Sequence, residues 1–166
     1  MNLTDFLTSG TFPHEATLLI GGGKKLAITY RASDPARAKA AILAAAGEEL
    51  TVLGFDPEVM LTAVAGRTPS GDEGKAFKDA LDKLDGEGAA RLQDTLRKAD
   101  GAALADVLGS VEGITESGER VPMDGPVTAE SCSAMPADLT RTILQLVAGA
   151  CLPAEKLDFL GRSRRG

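Results

Sequence analysis

The spacing of apolar positions changes several times along this chain, and each change marks an element. Across residues 26–31 the pattern alternates: Leu26, Ile28 and Tyr30 fall on one face, Ala27, Thr29 and Arg31 on the other. That is the period of a half-buried strand. Residues 16–20 are a second β-favouring run, and Gly21-Gly22-Gly23-Lys24-Lys25 joins the two. Glycines supply the positive φ angles of a tight turn, so a β-hairpin is predicted over 16–31. A second hairpin is predicted where residues 111–115 and 120–123 flank Glu116-Ser117-Gly118-Glu119, with Gly late in the turn.

Elsewhere the period is helical. A short helix is read over 3–8, closed by Gly10. Asp34 and Pro35 form an N-cap and first helical position, followed by an Ala-rich run to Ala46 with Gly47 as its stop. Residues 48–55 read as a short strand or an irregular turn. Asp56-Pro57 repeats the start signal for a helix to Ala65, and 68–71 reads as a linker. Ser70 and Glu73 have capping-box spacing ahead of a helix with Ala76, Phe77, Ala80, Leu81 and Leu84 on one face. Gly86 and Gly88 interrupt it, a second helix runs over 89–99, and Gly101 separates that from a third over 102–108. Thr128 caps a short helix reaching Ala134. Pro136 then opens the strongest amphipathic helix, with Leu139, Ile143, Leu146, Val147, Ala150 and Cys151 at spacings of three and four. Pro153 ends it before a final turn through Leu157 and Leu160.

These elements predict an α+β fold, mainly helical, with the two hairpins joined in one small antiparallel sheet. A lone hairpin is marginal in water; pooling four strands shares a core and protects edges. The helix over 136–151 should cover that sheet. The 166 residues fit a single domain spanning 1–166, with 70–108 as an acidic helical insert and 161–166 as a basic, flexible tail. Aromatic residues make up only 4% of the chain and Trp is absent, so the core should be thin.

Charge narrows the function classes. The net charge of −6 is concentrated in residues 48–125, where eight Lys/Arg face seventeen Asp/Glu. Nucleic-acid binding needs concentrated Lys/Arg, so no nucleic acid is expected as a partner. The longest apolar run, 143–152, is about half the length of a membrane span, and MNLTDFLTSG has no cationic segment of a signal peptide. A soluble protein that stays in the cytoplasm where it is made is expected. Cys132 and Cys151 form no C-x-x-C pair, and both are expected to stay reduced, with Cys151 buried as a small hydrophobe.

Candidate chemistry is sparse, and neither catalytic, cofactor-binding nor metal-binding residues are assigned. A Ser-His-Asp or Cys-His site would have to use His14, the single histidine, read as a surface loop residue. In Gly21-Gly22-Gly23-Lys24-Lys25, Leu18 stands where a phosphate loop needs its first glycine and Lys25 where it needs a hydroxyl. Asp79, Asp82 and Glu87 alternate with Lys75, Lys78 and Lys83, the arrangement of a soluble helix with ion pairs. Calcium-loop spacing is also absent around Asp72, Glu73 and Gly74. A protein that is not an enzyme is expected.

The stretch LADVLGSVEGITESGERVPMDGPVTAESCSAMPADLTRTILQLV, residues 104–147, resembles the C-terminal half of small tailed-phage proteins. Those carry a W-x-G-V … D-G-x-P-V-x-F-T signature followed by a helix, and belong with tail assembly chaperones and neighbouring tail-module proteins. Val111-Glu112-Gly113-Ile114, Ser117-Gly118 and Val121-Pro122-Met123 stand at its successive parts, and Val127-Thr128-Ala129-Glu130 at the helix start. Val111 replaces the signature Trp, and Met123 stands at an aromatic position. The front hairpin followed by a helix at Asp34-Pro35 is similar in layout. The resemblance implies a tail assembly chaperone of the host cytoplasm whose partners are the phage tape measure and tail tube proteins. It also leaves a minor structural subunit of the virion, for tail completion or connection, as a second reading.

A chaperone for amphipathic helices needs exposed apolar faces. The stripe through Leu139 and Ile143 can serve the fold by packing on the hairpins. Leu144 and Leu152 lie off that stripe, at about 100° per residue. Leu144, Leu152, Leu157 and Leu160 are therefore the expected partner-binding residues, with room for a homo-oligomer.

Overall fold

A computed structural model describes residues 12, 14–64 and 66–150. The helix expected over 3–8, Cys151, and the last turn with Leu152, Leu157 and Leu160 lie outside these residues. The described chain runs β1 (His14–Gly21), β2 (Lys24–Tyr30), α1 (Pro35–Val52), α2 (Pro57–Val64), α3 (Gly71–Asp82) and α4 (Gly86–Val107). It continues through β3 (Leu108–Ile114), β4 (Arg120–Pro122), α5 (Ala129–Ser133) and α6 (Ala137–Ala150).

The two hairpins do form one antiparallel sheet, ordered β1-β2-β3-β4. Ile28 pairs with Ala16 on one side and Val111 on the other, so these three share a face. The opposite face presents Thr29 beside Ser110, their hydroxyls 2.7 Å apart, and Glu112 paired with Arg120 at 2.7 Å. The glycine turn behaves as its composition demands: Gly21, Gly22 and Gly23 all have positive φ, which side chains disfavour.

The inner sheet face builds the first core. Leu26, Ile28, Tyr30, Leu108 and Val111 meet Leu104 and Val107 of α4, Cys132 of α5, and Ile143 and Val147 of α6. A second core lies among the helices, where Ala46, Leu50, Phe55, Met60, Ala80, Leu92 and Ala99 are buried. Phe55 and Phe77 tilt against each other there at 5.6 Å. The cores are thin in aromatics, as composition implies. Two buried polar side chains, Thr95 and Thr140, turn their hydroxyls back to the carbonyls of Arg91 and Pro136, a cheap way to satisfy a hydroxyl on a helix.

Two helix boundaries and one cap differ from the sequence reading. Gly47 does not end α1, which continues through 48–52 as helix and buries Leu50. The stop comes at Gly54, at φ +90, where the Phe55 amide reaches the Leu50 carbonyl at 2.9 Å. That is a Schellman closure. Gly101 likewise does not divide two helices: α4 is continuous over 22 residues, and Gly101 is buried within it. Ser70 sits at the N-cap of α3 but its side chain makes no capping hydrogen bond.

Other caps match. Asp34 accepts from the amides of Ala36 and Arg37, Asp85 from that of Gly88 at 2.7 Å, and Thr128 and Ser131 form a reciprocal capping box. The segment 70–108 is more than an appendage, because α4 places Leu92 and Ala99 in the second core and Leu104 and Val107 in the first.

Candidate partner-binding surfaces

The expected partner face on α6 is partly committed to the fold. Ile143 and Val147 are buried, while Leu139, Leu144 and Leu146 are half-buried and pack against the first core. Leu144 is thus in contact with the core from the flank of the stripe. Leu152, Leu157 and Leu160 fall beyond the described residues. His14 is not in a loop but opens β1, with its ring 5.3 Å from that of Tyr30. The glycine turn leads into strand β2, not into the helix N-terminus on which a phosphate loop depends. Among the described residues no group of three or more His, Cys, Asp or Glu side chains is arranged to hold a metal ion, and no helix is long and apolar enough to cross a membrane.

One polar cluster ties the layers together. The Asp106 carboxylate, near the end of α4, pairs with Arg31 at 3.3 Å and with Arg37 at 2.7 Å. Arg31 also donates through Nε to the Asp106 carbonyl at 2.8 Å. The exit of the sheet, the first turn of α1 and the end of α4 are pinned to one side chain. Arg31 lies over the Phe12 ring at 5.5 Å as well, a cation–π contact. Pattern reading missed this cluster because its members are 75 and 69 positions apart.

Three surfaces could receive another chain. Between α4 and α6 lies a cleft of about 440 Å³ walled by Gln93, Arg97, Asp100, Ala137 and Arg141. Burial raises the Asp100 carboxyl above its ordinary pKa, and the nearby Arg141 charge partly opposes this. The sheet offers the second surface. Among the described residues β1 is an outermost strand, and Leu19 is 80% and Ile20 47% exposed; at the other edge Val121 is 51% exposed. Leu19 pairs with Lys25 and Gly21 with Lys24, which leaves Ile20 as the extra residue of a bulge.

The third surface runs where the corner between α1 and α2 meets α3. Two adjoining depressions of about 300 Å³ each share Gly54 and Ala76. Their floor is Leu53, Phe55, Phe77 and Leu84, and Asp56, Asp72, Glu73 and Asp79 stand around it with one cation, Lys83. The sequence showed these carboxylates as part of a solvated acidic face. Only the Schellman corner at Gly54 brings them around an apolar floor.

No family model matches the chain, and no curated protein and no solved structure matches it.

Proposed function

We propose that this chain is a tail assembly chaperone of a tailed phage, holding the tape measure and tail tube proteins during virion assembly in the host cytoplasm. The observation that carries the reading is the sheet edge. A strand edge offers unpaired backbone groups, and natural edges are usually blunted by charge or cover. β1 ends in exposed Leu19 and Ile20; the bulge at Ile20 interrupts the ladder there, so the backbone that a client segment can extend is the stretch before it. The resemblance over 104–147 supports the same reading: these residues make the end of α4, β3, β4, α5 and most of α6, and they share the sheet with the front hairpin.

Co-expression with a tape measure segment and a tail tube subunit tests this. Capture of either client should survive in the wild-type chain and fall at least tenfold in the folded double variant Leu19→Glu/Ile20→Glu. Failure to capture either client overturns the chaperone reading. Recovery of the chain as a stoichiometric component of purified virions would instead make it a minor structural subunit.

A further inference from the structure

The two edges of the sheet are defended unequally. β4 has three residues, one of them Pro122, and its Arg120 is held by Glu112 at 2.7 Å. A short strand carrying a proline and a charge is a poor template for another chain. Among the described residues β1 has eight residues, no proline and no strand on its outer side. Phe12, two positions before it, lies over Gly109 of β3 and beside Arg31, so it sits over the sheet and not along the free edge. The register with β2 sets the faces of β1. Ala16 and Leu18 pair with Ile28 and Leu26 and pack at the margin of the first core, whereas Glu15, Thr17 and Leu19 pair with Thr29, Ala27 and Lys25 on the outer face. Glu15 and Lys25 are both exposed, and among the described residues neither has an ion-pair partner.

We propose that residues 15–19 of β1 pair antiparallel with the same residues of a second copy, across a two-fold axis at Thr17, joining the two sheets into one. An antiparallel pair about an axis perpendicular to the sheet keeps both core faces on the same side, whereas a parallel two-fold pair would turn one of them over. In this register Ala16 lies opposite Leu18 of the other copy, so the apolar row at the margin of one core continues into the next. On the outer face Glu15 of one copy lies opposite Leu19 of the other, with Lys25 on the far side of that leucine. Neighbouring strands are about 4.8 Å apart, which puts the Glu15 and Lys25 backbones about 10 Å from each other. The lysine stem can cross Leu19 and bring its charge to the carboxylate. Pairing therefore covers Leu19, which is 80% exposed in the single chain, and gives both charges a partner. A shift of one residue would set core face against solvent face. A shift of the axis to Leu18 runs into the bulge at Ile20, and a shift to Ala16 leaves Leu19 beyond the end of the other strand. A contact this short is smaller than the roughly 1,200–2,000 Å² of stable complexes, so the dimer exchanges readily and forms at sub-millimolar concentration. The pairing does not rest on the chaperone reading; where a client extends this edge, it must displace the second copy.

The test uses the full-length chain alone, by sedimentation from micromolar to sub-millimolar concentration. The wild type should pass from monomer to dimer. Thr17→Lys and Thr17→Glu each set like charges opposite one another on the axis, and each should weaken self-association at least tenfold, with circular dichroism confirming the fold. Mixing the two variants should restore a one-to-one dimer, because opposite charges then meet; a folding defect would not be cured by mixing. A second measurement does not depend on charge. In Thr17→Cys a short thiol crosslinker should join two copies through position 17, as mapped by mass spectrometry, and Val121→Cys at the other edge should not be joined. A wild type that stays monomeric overturns the proposal, as do Thr17 variants that associate at full strength or crosslinking as strong at position 121 as at 17. A monomer that still captures a tape measure segment would remove this dimer and leave the proposed function standing, and a dimer that captures no client would do the reverse.

Discussion

Gly101 of α4 lies directly beneath Ser133 of α5, so close that a Cβ at Gly101 would sit 2.0 Å from the Ser133 Oγ and 2.6 Å from the Ala129 carbonyl oxygen. The missing side chain is the contact. It lets a short helix, capped by Thr128 and burying Cys132, press its backbone against a long one.

Gly101→Ala should therefore destabilise the protein. Alanine favours a helix over glycine by about 1 kcal/mol, but forcing atoms into a filled contact costs about 1–3 kcal/mol, and here two of the opposing atoms, the Ala129 carbonyl oxygen and the Ser133 nitrogen, are backbone. Because the backbone atoms cannot swing aside, the upper end applies, and a net loss approaching about 2 kcal/mol is expected in urea denaturation. A gain in stability would show that α5 can retreat freely.

Asp106→Ala should also cost stability, because it strands two guanidinium groups. Hydrogen bonds to charged partners contribute about 1.5–3 kcal/mol, and exposure of Arg31 and Arg37 reduces this by screening. About 1–2 kcal/mol is expected. A double-mutant cycle with Arg37→Ala should show coupling; strict additivity would mean that the pair contributes nothing.

Asp100→Asn should stabilise the protein at pH 7 and lose that advantage in acid. Burial raises the folded carboxyl pKa, with Arg141 opposing, so folding favours the protonated form. The contribution of Asp100 is fully present below the ordinary carboxyl pKa and is lost as pH rises through the folded value. Denaturation curves of the two proteins should separate at pH 7 and approach each other near pH 3.5. An equal gap at both values would show that charge is not the cause.

Cys132 should resist alkylation in the native state. Burial pushes its thiol pKa up, and a hydrogen bond with Ser131 only partly offsets this. The thiolate is the reactive form, and it is scarce at pH 8 and shielded. Stability from this group is present below the unfolded thiol pKa and declines as pH rises toward the folded one. Mass spectrometry after iodoacetamide should find Cys132 unmodified until denaturant is added. Rapid native labelling would contradict its burial.

Much of this architecture was legible in local chemistry. Alternation in 26–31, the glycine turn, the Asp34 and Thr128 caps and the stripe through Ile143 each act within a few residues, and pooling the hairpins followed from the weakness of an isolated one. The meaning of Gly47 and Gly101 was not legible. Both have the sequence signature of a stop, yet Leu50 buries beyond the first and α5 packs onto the second. Whether a glycine ends a helix or admits a neighbour depends on distant residues, and so does the grouping of acidic side chains around Phe55 and Phe77.

The continuity of α4 has a mechanical consequence. Neither hydrophobic cluster has a helix of its own along that side: Leu92 and Ala99 serve one, Leu104 and Val107 the other, and a single run of backbone hydrogen bonds passes through both. Fraying one cluster would strip the support from the helix on which the other rests. The molecule should consequently melt as one cooperative unit, with the amides near Gly101 among the last to exchange with solvent.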